Sequence, residues 1–170
     1  DHTEIKPKRH KSSVLSVLRA SYDYNHQAVE FKQTDQPEKI NTVIKELRQT
    51  IKPGSNVFII SDFIGLNESG IKHLHSIKKH VDITAIKIND PLETALPYHA
   101  GKQYSNGEKE VSFDTSNRYF TEQFKQQFLD HNAFISHNFQ RLGIIQINIQ
   151  THDCELDILR QYFSRQANHK

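Results

Sequence analysis

Four consecutive apolar residues, Val57-Phe58-Ile59-Ile60, constrain this chain most. They follow Pro53-Gly54 and precede Ser61-Asp62, and a short unbroken run of this kind reads as a strand covered on both sheet faces. Asn67 then caps a helix running through His80 that turns Ile71, Leu74 and Ile77 inward, and Ile83–Ile88 supplies the next strand. Strand, helix, strand in that order predicts crossover units and an open, mostly parallel α/β sheet.

The flanking segments extend this pattern. A weak strand is expected at Thr3–Lys6, then an amphipathic helix over Ser12–Tyr22 carrying Val14, Leu15, Val17, Leu18 and Tyr22, then a polar loop over Asp23–Gln33. Asp35, Pro37 and Glu38 have the spacing of a capping box opening a second helix. Its face is Ile40, Val43, Ile44, Leu47 and Ile51, and Pro53-Gly54 ends it. Asn106-Gly107 within Lys102–Phe113 is a two-residue hairpin signal, read as an insertion over about 99–115 that projects from the sheet. A long helix, about Asn117 to Leu142, carries Tyr119, Phe120, Phe124, Phe128, Ile135, Phe139 and Leu142 as core and is closed by Gly143. A last strand at Ile144–Ile149 and a last helix marked by Leu156, Leu159 and Phe163 complete a single domain over 1–170.

Composition narrows the partners. Twenty-two Lys and Arg against 20 Asp and Glu leave a formal charge of +2, too small a field to predict nucleic-acid binding. Lys6, Lys8, Arg9, His10 and Lys11 read as a solvated loop rather than a phosphate contact. The single Cys154 excludes an intrachain disulfide, reads as a small buried residue, and suits a reducing, cytoplasmic compartment. No run approaches the ~20 apolar residues that span a bilayer, so membrane insertion by this segment is not expected. A chain that begins at Asp1 without any methionine reads as an interior piece of a longer protein.

In an open parallel sheet, ligands sit at the carboxyl ends of the strands. Ser61 and Asp62 follow one strand, Asp90 and Glu93 the next, and Thr151 and Asp153 the last. Oxygen ligands of this type suit Mg²⁺ or a basic group on a partner. The competing assignment for Asp90, Thr151 and Asp153 is helix capping; Asp62 runs into Phe63-Ile64-Gly65 rather than a helix, which leaves its carboxylate for a ligand. His73 and His75 point to different sides of their helix, against a zinc site.

Ile59-Ile60-Ser61-Asp62-Phe63, the strand Ile83-Thr84-Ala85-Ile86 leading to Asp90-Pro91-Leu92-Glu93 and Leu96-Pro97, and Thr151-His152-Asp153 with Leu159-Arg160-Gln161-Tyr162-Phe163-Ser164-Arg165 resemble the bacterial family called domain of unknown function 58. The opening Ile5-Lys6-Pro7 with Arg9 is similar too. The resemblance implies a von Willebrand factor A-like, doubly wound sheet, here its C-terminal part. It also implies a metal-ion-dependent adhesion site in which Asp62 matches the late Asp and Thr34 the Thr. The first strand with Asp-x-Ser-x-Ser is missing, and Asp114-Thr115-Ser116 does not replace it, because Arg118 stands where the second Ser belongs. Metal is therefore expected to be absent, or to be Mg²⁺ bound weakly in a full-length form. Without that neighbour, the Val57–Ile60 strand is expected to leave an apolar edge that promotes self-association or a rearranged sheet.

Two functions follow. The resemblance implies a non-catalytic protein-interaction module, an adaptor or chaperone-like partner of a MoxR-type AAA+ ATPase. The alternative is a Mg²⁺-dependent hydrolase using Asp62, Asp90 and Asp153, which requires those carboxylates to converge.

Overall fold

The computed structural model describes residues 5, 10–30, 39–91, 103–105, 110–112 and 118–167. They fall into two compact units, one of residues 1–35 and 102–113, the other of residues 36–101 and 114–170.

The first unit contains helix α1 (Lys11–Glu30) and a two-stranded antiparallel sheet of β3 (Gln103–Ser105) and β4 (Glu110–Ser112). The helix continues past Tyr22 to Glu30, over the described part of the segment expected to be a loop. Residues such as Arg19, Asn25 and Gln27 are not helix breakers, and no Gly or Pro interrupts the run. Ser105 pairs with Glu110, so the two expected arms do form a hairpin, and Asn106-Gly107 lies outside the described residues. Of the expected strand at Thr3–Lys6, Ile5 is described and is not in a strand, and the rest lies outside the described residues, as does the capping box at Asp35–Glu38.

The second unit is a three-stranded parallel sheet in the order β1 (Asn56–Ser61), β2 (Asp82–Asn89), β5 (Ile145–Gln150). Helices α2 (Lys39–Thr50), α3 (Glu68–Lys78), α4 (Arg118–Leu142) and α5 (Glu155–Ala167) complete it. It is a mixed α/β arrangement with helices on both faces of a small open sheet, the expected fold class in incomplete form. Gly54, with φ of 79°, and Gly143, with φ of 65°, supply the left-handed turns that lead out of α2 and α4. At the second of these, the Ile144 N–H donates back to the Phe139 carbonyl at 2.9 Å.

Strand alternation sorts the side chains. Val57, Ile59, Ile83 and Ala85 face a core with Ile44 of α2, Leu74 and Ile77 of α3, and Ile135 and Phe139 of α4. On the opposite face, Ile86, Ile147 and Ile149 meet Ile158, Leu159 and Tyr162 of α5. The register places Phe58 beside Thr84 and Ile60 beside Ile86, on this second face. There, however, Phe58 is 53% and Ile60 63% exposed. The expectation that β1 is covered on both faces is thus corrected: α5 lies over β2 and β5 and reaches β1 through one ring pair, Phe58 with Phe163 at 6.3 Å. At the other side of the sheet, Asn148 and Gln150 of β5 are exposed, and the Gln146 side-chain amide donates to Asn148 Oδ1.

Packing departs from pattern at further places. Val14, Leu15, Val17, Leu18 and Tyr22, the apolar face expected of α1, are all exposed. Val43 is exposed although it shares a helical stripe with Ile44. The first half of α4 is largely solvated, with Tyr119, Phe124 and Leu129 exposed, because packing against the apolar core comes from its second half, Phe134 to Leu142, while Phe128 and Asn132 reach Lys87 of β2. Cys154 is exposed rather than buried.

Candidate functional site at the carboxyl edge of the sheet

The chain leaves β1 through Ser61-Asp62-Phe63-Ile64-Gly65 in a tight loop built from its own polar groups. Ser61 Oγ accepts from the Phe63 N–H at 3.0 Å and donates to Asp62 Oδ1 at 3.3 Å. Asp62 Oδ1 also accepts from the Ile64 N–H at 2.9 Å. These bonds fold the backbone so that Phe63 takes φ of 59°, a left-handed conformation that costs a bulky residue about 1–2 kcal/mol. The compensation is burial: Phe63 is fully buried, edge-on to Phe139 with ring centroids 5.2 Å apart.

Two neighbouring side chains fix this loop. Asn41, buried in α2, donates from Nδ2 to the Gly65 carbonyl at 2.8 Å and accepts at Oδ1 from the Asn67 N–H at 3.1 Å. Asn67 in turn caps α3 by accepting from the Ser69 and Gly70 N–H groups, as its position before the helix predicts. From α4, His131 Nε2 lies 3.0 Å from the Phe63 carbonyl. The result is a braced loop that turns Asp62 and Ile64, the latter 50% exposed, toward solvent.

The other strand ends are arranged differently. Thr151 Oγ1 donates to Asp90 Oδ2 at 3.0 Å, linking the ends of β2 and β5. Asp153 closes its own turn, its Oδ2 accepting from the Gln150 N–H at 2.8 Å, with His152 Nε2 3.8 Å from Oδ1. Asp153 therefore bonds a turn amide rather than an α5 amide. Ser61 and Asp62 form one cluster, Asp90 with Thr151 a second, and Asp153 a third. Among the described residues, no three His, Cys, Asp or Glu side chains converge in a way that could hold a metal ion. Thr34 and Glu93 lie outside the described residues.

Pattern reading passed over several residues at this edge. Lys87, on the helix-covered face of β2, is buried, hydrogen-bonded to Asn132 Oδ1 and 5.5 Å from the Phe128 ring centroid. Its one signal was a lysine between Ile86 and Ile88 in a buried strand. Asn89 carries a buried side-chain oxygen for which no donor is found among the described residues. Asn41 and His131 gave no local signal, since their partners are 24 and 68 residues away.

Residues 2–134 match the family profile described as Protein of unknown function DUF58. The chain belongs to that family. The matched span contains Asp62 and Asp90 and ends within α4, ahead of β5, so Thr151 and Asp153 lie beyond it. No curated protein and no solved structure matches the chain. Among the described residues, no helix is long and apolar enough to cross a membrane.

Proposed function

We propose that this DUF58 chain is a non-catalytic, cytoplasmic protein-interaction module, an adaptor or chaperone-like partner of a MoxR-type AAA+ ATPase. The observation that carries the reading is the braced Ser61–Asn67 loop. It holds a strained, fully buried Phe63 so that an exposed carboxylate and an exposed isoleucine stand side by side at the carboxyl edge of the sheet. An apolar side chain beside a charge on a rigid element is the composition of a recognition contact, and strain stored at such a place is characteristic of functional sites. The von Willebrand factor A-like resemblance implies a ligand at this same edge, which supports the reading. The Mg²⁺-dependent hydrolase receives no comparable support, because its three carboxylates are engaged separately.

The partner is tested by mixing the protein with the purified MoxR-type ATPase of the same organism and following the complex by size-exclusion chromatography. Asp62→Ala and Ile64→Asp are expected to weaken the complex with the fold intact by circular dichroism. Failure of the unmodified protein to form a complex, with ATP or without it, removes the reading.

A second contact rests on β1. Within the three-stranded sheet it has one hydrogen-bonded neighbour, and Phe58 and Ile60 stand exposed along it. An open apolar strand of this kind favours pairing with a second copy. Light scattering across a concentration series is expected to show a dimer that Phe58→Thr with Ile60→Thr abolishes; a monomer at every concentration counts against it.

A further inference from the structure

At the amino end of the sheet, opposite the carboxylates described above, a cavity of about 560 Å³ opens between the C-terminal parts of α3 and α4. Lys72, His75, Lys78 and Lys79 from one side and Arg141 from the other surround it, over an apolar floor of Ile71 and Leu142. Four permanent cations thus face one concavity. Of these, Lys78 is paired, to Asp82 Oδ1 at 3.0 Å. Among the described residues, Lys72, Lys79 and Arg141 have no carboxylate within ion-pair distance.

Helix macrodipoles attract cations to the last turn, which accounts for His75, Lys78 and Arg141 taken singly. They do not account for Lys72, roughly a turn and a half earlier, nor for the clustering of both helices' cations around one hollow. Arg141 is also held in place: its Nη2 donates to Asn138 Oδ1 at 2.8 Å, and buried Asn138 is fixed by donating from Nδ2 to the Phe134 carbonyl at 2.8 Å. A guanidinium fixed by a buried amide keeps its remaining N–H groups aimed, and its fork matches the oxygens of a phosphate.

We propose that this cavity binds a small phosphate-bearing molecule, the phosphate between Arg141 and the α3 lysines and an apolar or ring portion against Ile71 and Leu142. The volume lies within the roughly 300–1,000 Å³ common for small-molecule sites, and concavity favours a compact ligand over an extended polyanion. The site is separate from the loop proposed to contact the ATPase and stands or falls independently of it.

The probe is AMP, titrated calorimetrically into the full chain at physiological salt, with adenosine and inorganic phosphate in parallel. AMP is expected to bind, phosphate to bind more weakly, and adenosine not at all. Arg141→Ala and Lys72→Ala, both at exposed positions, are expected to weaken AMP about tenfold each, the scale of a lost charged hydrogen bond. Lys45→Ala, on the exposed face of α2, is expected to leave it unchanged. Absence of AMP binding at several-millimolar concentration overturns the proposal, as does equal binding of adenosine or unchanged affinity in both the Arg141 and Lys72 variants. Binding of an acidic peptide in place of AMP would overturn it in favour of a protein ligand.

Discussion

The left-handed Phe63 permits a measurement that separates strain from packing. Phe63→Ala removes a fully buried ring and its edge contact with Phe139, a loss of about 3–5 kcal/mol. Phe63→Gly removes the same ring and one further carbon. At an ordinary position, Gly would be the less stable of the two by about 0.5–1 kcal/mol, through its freer unfolded chain. At φ of 59° the order inverts, because Ala retains a left-handed penalty of about 1–2 kcal/mol that Gly escapes. The glycine variant is therefore expected to be the more stable by about 0.5–1 kcal/mol. With a urea slope of about 1–3 kcal/mol per molar, its unfolding midpoint should lie a few tenths of a molar higher. Because total stability is typically about 5–15 kcal/mol, both variants are measured in a stabilising osmolyte if either is marginal in buffer. An alanine midpoint equal to or above the glycine midpoint would refute the strain and with it the account of the loop.

Asn41→Ala should destabilise by about 2–4 kcal/mol in urea unfolding, since it orphans the Gly65 carbonyl and the Asn67 N–H together. Gly70→Ala should cost about 1–3 kcal/mol, because the added Cβ collides with Asn41 Oδ1 and Leu66 Cδ1 at the place where α3 meets the bracing asparagine. Thr151→Val should lose about 0.5–1.5 kcal/mol, and pairing it with Asp90→Ala in a double-mutant cycle should show coupling that Thr151→Val with Asp62→Ala lacks. With no convergent carboxylates among the described residues, 10 mM Mg²⁺ should stabilise the chain by less than about 0.5 kcal/mol, so the melting temperature stays nearly constant; a rise of several degrees that Asp62→Ala removes would contradict this.

The parallel architecture was legible because it is written in contiguous signals. An apolar run, an Asn cap and a second apolar run specify β1, α3 and β2, and Gly143 marks the end of α4. What escaped depends on distance in sequence. Whether Phe58 is covered is decided by the reach of α5, about a hundred residues later, and periodicity cannot report that. Phe124 and Phe139 share a helical pattern, yet only Phe139 lies over the sheet. At the candidate site, the strand ends could be located because a strand stops where its apolar run stops. The partners could not, since Thr151 meets Asp90 across 61 positions. Asp62 reads as ligand-facing from its neighbours alone, but the asparagine and histidine bracing its loop belong to other helices.

The two margins of the parallel sheet are unlike. The β5 margin ends in exposed Asn148 and Gln150, with Gln146 bonded to Asn148, whereas β1 presents Phe58 and Ile60. Among the described strands, the larger exposed apolar side chains thus stand along β1. Two copies meeting β1 to β1 about a two-fold axis would each spend their single adhesive margin on the other, leaving the amide-rich margins outermost. Such an arrangement would close on itself, and through this contact it would join two copies and no more.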